Sequence, residues 1–255
     1  MTVAVITGAG RGLGRGIALA LAASGADLVL GYRRDAAAAA ETASACRALG
    51  VRAEVVGGDV REPGTAKALA DAAVAGLGGL DAWVNNAGVS FIAPVLDTDP
   101  AALAALLDVN VIGVLHGMQA AAAVMVPAGR GRIVNLASDA GLQGFAYLGG
   151  YAASKFAVVA LTQTLALELA GTGVTVNAVC PGTAETAMND AEWAAQRALT
   201  GEPVDDVRAA YLAAIPVGRF CTPQDVGATV AFLASDAASF VTGQSWCVNG
   251  GTVLH

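Results

Sequence analysis

The stretch TGAGRGLG at residues 7–14 follows a short β-branched run, VAVIT at 3–7, and opens an Ala- and Leu-rich stretch. Glycines there let the backbone approach a ligand, and the free amides of a helix N-terminus attract an anion. The spacing Gly8-xxx-Gly12-x-Gly14 differs from the dinucleotide fingerprint GxGxxG, and no Gly-Lys-Ser/Thr follows as in a P-loop. The position between strand and helix favours a nucleotide-binding turn over an ordinary tight turn.

The alternation of short apolar runs and longer helical stretches continues along the chain. The predicted strands are 3–7, 27–32, 52–57, 81–86, 131–138, 173–179 and 245–248. The predicted helices are 12–25, 36–49, 65–77, 99–125, 151–170 and 223–235. Strands joined by helical crossovers, with near-continuous apolar runs, favour a sheet covered on both faces. We therefore predict an α/β fold with one doubly wound, parallel, seven-stranded sheet in three α/β/α layers, forming a single domain over residues 1–255.

The composition excludes several classes of function. The chain has 255 residues, of which 55% are hydrophobic and 14% charged, and its formal net charge is −7. It has no dense Lys/Arg run, so neither a nucleic-acid nor an anionic-membrane surface is expected. The longest apolar runs are expected to be too short to span a bilayer, and the first ten residues lack a signal-peptide pattern. Neither the four scattered cysteines nor His116 and His255 show metal-ligand spacing, so we expect reduced thiols, no metal site and a cytoplasmic location.

The end of the second predicted strand bears on the choice of cofactor. In GYRRD the strand-end position is Tyr32, followed by Arg33 and Arg34, where NAD-selective domains carry an acidic residue. Arginine forks suit a 2′-phosphate, and Arg11 adds positive charge to the glycine turn. These residues predict NADP(H). NAD(H) is the alternative, with the arginines merely solvated and Asp35 reaching a ribose.

Residues 186–216, TAMNDAEWAAQRALTGEPVDDVRAAYLAAIP, interrupt the strand–helix alternation after the sixth predicted strand. Loops at the C-terminal ends of strands in α/β proteins carry binding sites, so we predict that this segment is a substrate lid. A surface hairpin without a ligand role is the alternative. The apolar candidates to line a site beneath the lid are Trp193, Leu199, Tyr211 and Leu212.

Further short motifs follow in a definite order. They are GGDV (57–60), NNAG (85–88), VNVIGV (109–114), Ser138, YAASK (151–155) and PGTAET (181–186). Together with the glycine turn, this ordered set resembles the short-chain dehydrogenase/reductase family, in its branch of roughly 250 residues. The resemblance extends from residue 2 to about 252. It implies a Rossmann fold, a nicotinamide cofactor, a homotetramer, and hydride transfer between the cofactor and a carbonyl or secondary alcohol.

The resemblance also implies roles for individual residues. The catalytic tetrad would be Asn110, Ser138, Tyr151 and Lys155. With the residues considered above, the cofactor site would comprise Gly8, Arg11, Gly12, Leu13, Gly14, Tyr32, Arg33, Asp59, Val60, Asn86, Ala87, Gly88, Tyr151, Lys155, Pro181, Gly182, Ala184 and Thr186. The glycine turn would hold the pyrophosphate, Asp59 the adenine amino group, and Pro181 with Gly182 the nicotinamide. Asn85 would mainly brace the sheet.

Tyr151 and Lys155 lie about one helical turn apart, which by itself describes an ordinary helix surface. A carbonyl that accepts hydride needs a proton, and an ammonium close to a tyrosine favours its phenolate. Lys155 would therefore lower the pKa of Tyr151. Ser138 would hydrogen-bond the substrate oxygen, and Asn110 would hold a water that links Lys155 to solvent.

The sequence leaves the substrate open. The C-terminal half looks similar to acetoin/diol and polyol dehydrogenases, whereas GYRRD looks equally like 3-oxoacyl-thioester reductases. We predict a small or medium alcohol or ketone. The alternatives are a 3-oxoacyl-thioester reductase, an NAD-dependent diol (acetoin-type) dehydrogenase, and a non-catalytic nucleotide-binding module. Asp139 either binds a substrate hydroxyl or caps a turn, and Asn249 stands where the family usually has Asp.

Overall fold

A computed structural model describes residues 2–254; Met1 and His255 lie outside the described residues. At its centre is a seven-stranded parallel sheet with the order β3-β2-β1-β4-β5-β6-β7. The strands are β1 (Val3–Ile6), β2 (Asp27–Tyr32), β3 (Ala53–Gly57), β4 (Ala82–Asn85), β5 (Gly131–Leu136), β6 (Val174–Pro181) and β7 (Ser245–Val248). The predicted doubly wound sheet is confirmed. Its strand order reverses between β1 and β4, and such a switch point opens a crevice at the carboxyl ends of the strands.

Helices cover both faces of the sheet. They are α1 (Gly12–Ala23), α2 (Ala36–Arg47), α3 (Pro63–Asp71), α4 (Pro100–Leu107), α5 (Gly113–Ala128), α6 (Gly149–Glu168), α7 (Ala187–Thr200), α8 (Val204–Ala213) and α9 (Pro223–Leu233). Helices α1, α2 and α9 share one buried core with the sheet, and α3, α5 and α6 share the other. Successive strand residues alternate between the cores: Val5 faces the second and Ile6 the first.

Most boundaries differ from the predicted ones by a few residues, and two of the differences concern predicted site residues. Strand β5 ends at Leu136, so Ser138 does not end the strand as predicted but lies two residues beyond it, at the start of a 3-10 turn. The predicted helix 99–125 consists of α4 and α5 joined by a π-helical segment, Asp108–Ile112. A π-helical turn adds a residue to the helix without ending it, and such turns are frequent at functional sites.

The helical stretch Pro100–Ala128 is long and apolar enough to cross a bilayer, with a mean hydropathy of 1.7. The expectation that no apolar stretch reaches that length is therefore wrong by length and composition. In this structure the stretch packs against the sheet, with Asn110, Met118 and Met125 buried. A core helix of a globular domain satisfies the same two criteria.

Helices α1 and α9 cross at glycines. A Cβ on Gly16 would lie 2.5 Å from the Cβ of Pro223, and a Cβ on Gly227 would lie 2.7 Å from the Gly16 carbonyl oxygen. Only residues without side chains allow this backbone approach. The crossing fixes α1, and with it the glycine turn at its start.

Candidate active site

Thr7, the first residue of the glycine turn at residues 7–14, joins that turn to the loop after β4. The backbone amides of Asn86 and Ala87 each donate to Thr7 Oγ1 at 3.0 Å. Asn86 Nδ2 donates to the carbonyl oxygens of Thr7 at 2.9 Å and Gly8 at 3.1 Å. The structure thus brings the NNAG loop against the glycine turn, through a threonine that the sequence reasoning did not single out.

The glycine turn needs its glycines for conformation and for space. Gly8 and Gly12 have φ values of +67° and +54°, in the left-handed region that favours glycine. A Cβ on Gly14 would overlap the Gly8 carbonyl oxygen. Helix α1 begins at Gly12 with no side-chain hydrogen bond from its cap residue, Arg11. Uncapped amides at a helix start fit a pyrophosphate, so this turn has the form that a dinucleotide requires.

Charged side chains cluster past the ends of β2 and β3. Asp59 accepts hydrogen bonds from Arg61 Nη2 at 2.7 Å and Nε at 3.1 Å, and Arg33 Nη1 lies 3.6 Å from its carboxylate. The bonds from Arg61 hold the pKa of Asp59 down, at about 2. Tyr32 lies over Gly57, where an added Cβ would come within 3.1 Å of its ring. The sequence did not predict that Arg61 binds Asp59, because this contact depends on the direction in which the loop after β3 turns.

Asp35 is occupied by a structural role. Its Oδ1 accepts a hydrogen bond of 2.9 Å from the Ala38 amide and so caps the N-terminus of α2. The alternative in which Asp35 binds a ribose would require it to give up this cap. Arg11 and Arg34 are exposed, as a contact to an incoming phosphate requires.

Asn110 is fully buried in the π-helical segment, and its side chain makes three hydrogen bonds. Its Oδ1 accepts from the Val89 amide at 2.9 Å, and its Nδ2 donates to the Val89 carbonyl oxygen at 2.8 Å and to Ser154 Oγ at 3.1 Å. The side chain therefore ties the loop after β4 to α6. Both Nδ2 hydrogens are used, whereas Oδ1 keeps a second acceptor position, so the water contact of Asn110 stays a prediction.

Lys155 is buried beneath Tyr151. Its Nζ donates to the Leu136 carbonyl oxygen at 2.7 Å and lies 5.5 Å from the centre of the Tyr151 ring. Burial lowers the pKa of Lys155 to about 8. A Cβ on Gly88 would lie 3.7 Å from Nζ, so the loop after β4 passes close to this ammonium.

Burial raises the pKa of Tyr151 above its ordinary value, and the carboxyls of Glu192 and Asp139 raise it further. The Ser138 hydroxyl opposes this by hydrogen bonding. The net direction is opposite to the predicted lowering by Lys155, because removal of the phenol from water outweighs a cation at this distance. Tyr151 therefore carries its proton at neutral pH.

A cavity of about 400 Å³ opens in front of Ser138 and Tyr151. Its walls come from the start of α1, the turn after β5, the start of α6, the end of β6, and helices α7 and α8. The residues from these elements include Leu13, Tyr147, Pro181, Thr186, Trp193 and Tyr211. Trp193 packs on Phe220 with ring centres 5.5 Å apart and holds α7 in place. Two of the apolar candidates are wrong, because Leu199 and Leu212 are exposed.

A family model described as enoyl-(acyl carrier protein) reductase matches residues 8–253. The chain belongs to the short-chain dehydrogenase/reductase family. It is 41% identical over 255 residues to L-2,3-butanediol dehydrogenase of Corynebacterium glutamicum, covering 99% of both chains. It is 40% identical to a diacetyl reductase of Staphylococcus epidermidis that forms (S)-acetoin, covering 99% of this chain and 98% of the relative.

A solved structure of an actinorhodin polyketide ketoreductase variant with NADPH is also similar. Its TM-score is 0.93 at 34% identity, over 98% of this chain and 97% of that one. The family prediction is confirmed. The chain is an oxidoreductase that acts on the CH–OH group of a small molecule with a nicotinamide cofactor.

Two carboxyl groups face the cavity of this dehydrogenase. Asp139 is 7% exposed, and burial raises its pKa to about 6. Burial raises the pKa of Glu192, in α7; a hydrogen bond with the Ser90 side chain lowers it, and the charge of Asp139 raises it further. The turn after β5 is capped by Ser138, whose Oγ accepts from the Ala140 amide at 3.2 Å. Hydrogen bonds from the backbone amides of Ala140 and Asp139 also reach the Asp139 carboxylate and oppose the rise of its pKa, so this carboxylate faces both the turn and the cavity.

The C-terminal loop of the dehydrogenase is closed by Asn249. Its Nδ2 donates to the Val253 carbonyl oxygen at 2.9 Å, and its Oδ1 accepts from the Gly251 amide at 3.0 Å. An ionised aspartate could accept from the Gly251 amide but could not donate to the Val253 carbonyl oxygen. The asparagine in place of the usual aspartate makes both hydrogen bonds. A Cβ on Gly182 would lie 2.8 Å from Asn249 Cβ, which places this loop behind the end of β6.

Proposed function

We propose that this dehydrogenase uses NADP(H) to interconvert a small ketone and its secondary alcohol, with Ser138, Tyr151 and Lys155 as catalytic residues. The observation that carries the proposal is that the Ser138 and Tyr151 side chains line one cavity that also borders the glycine turn through Leu13. Among residues 2–254, the lining of this cavity contains no Lys, Arg or His that would suggest another chemistry.

The cofactor is proposed to lie along the carboxyl ends of the strands. Its pyrophosphate would meet the amides of Gly12, Leu13 and Gly14. The nicotinamide, which supplies or accepts the hydride when bound, would lie against Pro181 and Gly182, and the remaining cofactor contacts would be those predicted from the sequence. A Cβ on Gly12 would lie 3.6 Å from Thr186 Cγ2, so the first residue of the lid borders the phosphate turn.

Tyr151 is proposed to act as the acid in ketone reduction. The substrate oxygen gains negative charge as its carbon is reduced, and the protonated phenol donates its proton to that oxygen. The Ser138 hydroxyl, which donates to Asp139 Oδ1 at 3.1 Å in this structure, would turn to donate to the same substrate oxygen and stabilise the developing charge. In alcohol oxidation the proton moves the other way, which requires the phenolate.

Lys155 is proposed to return a proton to Tyr151 and to hold the nicotinamide ribose. A pKa of about 8 lets this ammonium lose and regain a proton near neutral pH. Asn110, the fourth member of the predicted tetrad, is proposed to act by position, since its side chain fixes the Val89 loop and the Ser154 hydroxyl of α6.

The preference for NADP(H) is supported by the charges past β2. Arg33 is partly exposed and lies 3.6 Å from Asp59, whose charge is already neutralised by Arg61 at 2.7 Å. Arg33 therefore has a fork available for a 2′-phosphate, and Asp35 is held in the α2 cap.

The substrate is proposed to be of the acetoin and diol size. The two curated relatives are named for butanediol and diacetyl, and a cavity of about 400 Å³ accommodates such molecules. A 3-oxoacyl-thioester is the second candidate, favoured by the similarity to a polyketide ketoreductase. On the lid, Arg197 and Arg208 are both exposed, and Arg208 also lies over the Trp193 and Phe220 rings, at 5.9 and 5.3 Å. These are the two arginines of residues 186–216 that could dock an acyl carrier.

The test is a panel of initial rates with NADPH and NADH on diacetyl, acetoin, ketoses, aryl ketones and an acetoacetyl thioester. We expect NADPH to be oxidised fastest with diacetyl or acetoin. A rate on the thioester far above those on all free ketones would favour the second candidate. Equal dissociation constants for NADPH and NADH would contradict the assignment of Arg33. Cofactor binding without turnover on any carbonyl would favour a non-catalytic module.

A further inference from the structure

The cavity in front of Ser138 and Tyr151 is acidic. Asp139 and Glu192 both line it, and its lining contains no Lys, Arg or His among residues 2–254. Neither carboxyl takes part in an ion pair in this part of the chain. Isolated carboxylates in a mostly apolar cavity are costly, and proteins normally pair them with a cation. Residues 2–254 provide no such cation here.

Asp139 is held so that its carboxylate points toward the reacting groups. Its Oδ1 accepts a hydrogen bond of 3.1 Å from the Ser138 hydroxyl, and Ser138 is the one side chain that donates to it among the described residues. Its Oδ2 would lie 3.2 Å from a Cβ on Gly182, at the end of β6. Asp139 is more than nine-tenths buried, and among the described residues its carboxylate meets the Ser138 hydroxyl and the backbone amides of Ala140 and Asp139 but no cationic side chain.

Glu192 approaches the same space from the lid. It lies on α7, one residue before the buried Trp193, and its charge raises the pKa values of both Tyr151 and Tyr211. The two carboxyls also influence each other, because Asp139 raises the pKa of Glu192. One carboxyl therefore comes from the framework and one from the lid, and both line the same cavity.

We propose that Asp139 and Glu192 bind a protonated amine, and that the preferred substrates are small ketones with an ammonium group next to the carbonyl, together with the matching amino alcohols. This inference rests on the proposed function and names its substrate class. An ammonium donates charge-assisted hydrogen bonds to both carboxylates and neutralises charge that the protein leaves unpaired. A hydroxyl group in the same place donates one hydrogen bond and neutralises nothing. A carboxylate in that place is repelled.

The experiment compares four small ketones that differ beside the carbonyl: aminoacetone, hydroxyacetone, butanone and pyruvate. Values of kcat/KM are measured with NADPH at pH 7, where the amine is mostly protonated. We expect aminoacetone to exceed hydroxyacetone at least tenfold and pyruvate to be the poorest. Asp139→Asn and Glu192→Gln should each reduce the aminoacetone to hydroxyacetone ratio about tenfold or more, which corresponds to about 1.4 kcal/mol.

Asp190→Asn is the matched control, since Asp190 lies on α7 two residues before Glu192 and does not line this cavity. It should keep the wild-type ratio. A wild-type enzyme that reduces hydroxyacetone as well as aminoacetone would overturn the inference, and so would a ratio that neither cavity variant changes. A loss shared by all four ketones would assign Asp139 to the cofactor or the fold instead.

A binding measurement separates this inference from the proposed function. Calorimetry with NADP present should show 1-amino-2-propanol binding at least tenfold more tightly than 1,2-propanediol, with the difference reduced in Asp139→Asn. If no ketone is reduced but this difference is found, the proposed function fails and the amine site stands. Equal affinity for the two alcohols overturns the amine site even if ketones are reduced.

Discussion

At the scale of single residues, Tyr151 is kept in its acid form. Burial, Glu192 and Asp139 all raise its pKa, and the Ser138 hydroxyl lowers it. A protonated phenol is ready to donate to a substrate oxygen but must lose its proton before it accepts one. The local electrostatics therefore favour ketone reduction at neutral pH and alcohol oxidation at higher pH.

Tyr151→Phe should abolish turnover in both directions, because it removes the hydroxyl proton and leaves the ring in place. Cofactor binding should be largely unchanged, since the lost hydroxyl is proposed to meet the substrate. Steady-state rates with diacetyl and titration with NADPH are the two measurements. Near-wild-type rates in the variant would refute the assignment of Tyr151 as the acid.

Asp139→Asn should stabilise the protein at pH 7 and leave its stability nearly unchanged near pH 3. Burial raises the pKa of Asp139 from 3.8 to about 6, so below pH 3.8 the group is protonated in both folded and unfolded states. Between these two values the unfolded chain releases a proton that the folded chain keeps, and stability falls as pH rises. The full difference is up to about 3 kcal/mol above pH 6.

The measurement is the free energy of unfolding of wild type and Asp139→Asn in denaturant at several pH values. The difference at low pH reports the cost of the amide itself, and the change from low to neutral pH reports the ionisation. If the free energies of unfolding of the two proteins depend on pH in the same way, burial does not destabilise the ionised form of Asp139. A stabilised variant with poorer turnover of an amino ketone would show that the carboxyl is kept for binding.

At the scale of helices and strands, the crossing of α1 and α9 determines how well the glycine turn is held. Gly16→Ala should destabilise the protein by about 1–3 kcal/mol and weaken cofactor binding, because the new methyl group meets Pro223 and α1 must shift. Gly64→Ala is the control, since a Cβ on Gly64, near the start of α3, meets nothing within 4 Å. That variant should be neutral or more stable by about 1 kcal/mol.

Urea unfolding and NADPH titration of both variants provide the measurement. Equal stabilities of Gly16→Ala and Gly64→Ala would show that the crossing tolerates a methyl group. Loss of stability without any loss of NADPH affinity would show that the shift of α1 does not displace the glycine turn.

The elements also show how far the sequence could predict this structure. Strands and framework helices were predictable because their apolar periodicity and turn residues are local signals. It was not predictable that Glu192 faces the cavity and that Leu199 is exposed. The side of α7 that faces the cavity depends on how Trp193 packs against Phe220, which lies far along the chain. The capping of α2 by Asp35 was missed for a similar reason, because an acidic residue after a strand suits both a ribose and a helix start.

At the scale of the whole molecule, we predict a homotetramer. Large apolar side chains are exposed on the helix of Tyr151 and before β7, among them Phe156 at 46%, Leu167 at 80% and Phe240 at 102%. The family resemblance implies interfaces through the long helix 99–125 with the YAASK helix, and through the C-terminal strand and helix. Burial of such side chains between subunits would stabilise the assembly.

Light scattering after size exclusion should give four times the monomer mass, and Phe156→Glu should reduce it. Leu49, which is 50% exposed just after α2, offers the control Leu49→Glu, and this variant should remain tetrameric because α2 lies in neither implied interface. A wild-type monomer would contradict the prediction.

The hydrogen bonds between Thr7 and Asn86 have a consequence for how the chain acquires its fold. They join residues 79 positions apart, and β1 gains one of its two neighbours only when β4 is present. On the ribosome the glycine turn emerges early. Asn86, which bonds Thr7, emerges later, and Ser138, Tyr151 and finally β7 follow. Pairing across such separations is slow compared with helix formation. Affinity for the nucleotide is therefore acquired late in folding. Until β4 is available to pair with β1, that edge of the N-terminal strands stays unpaired.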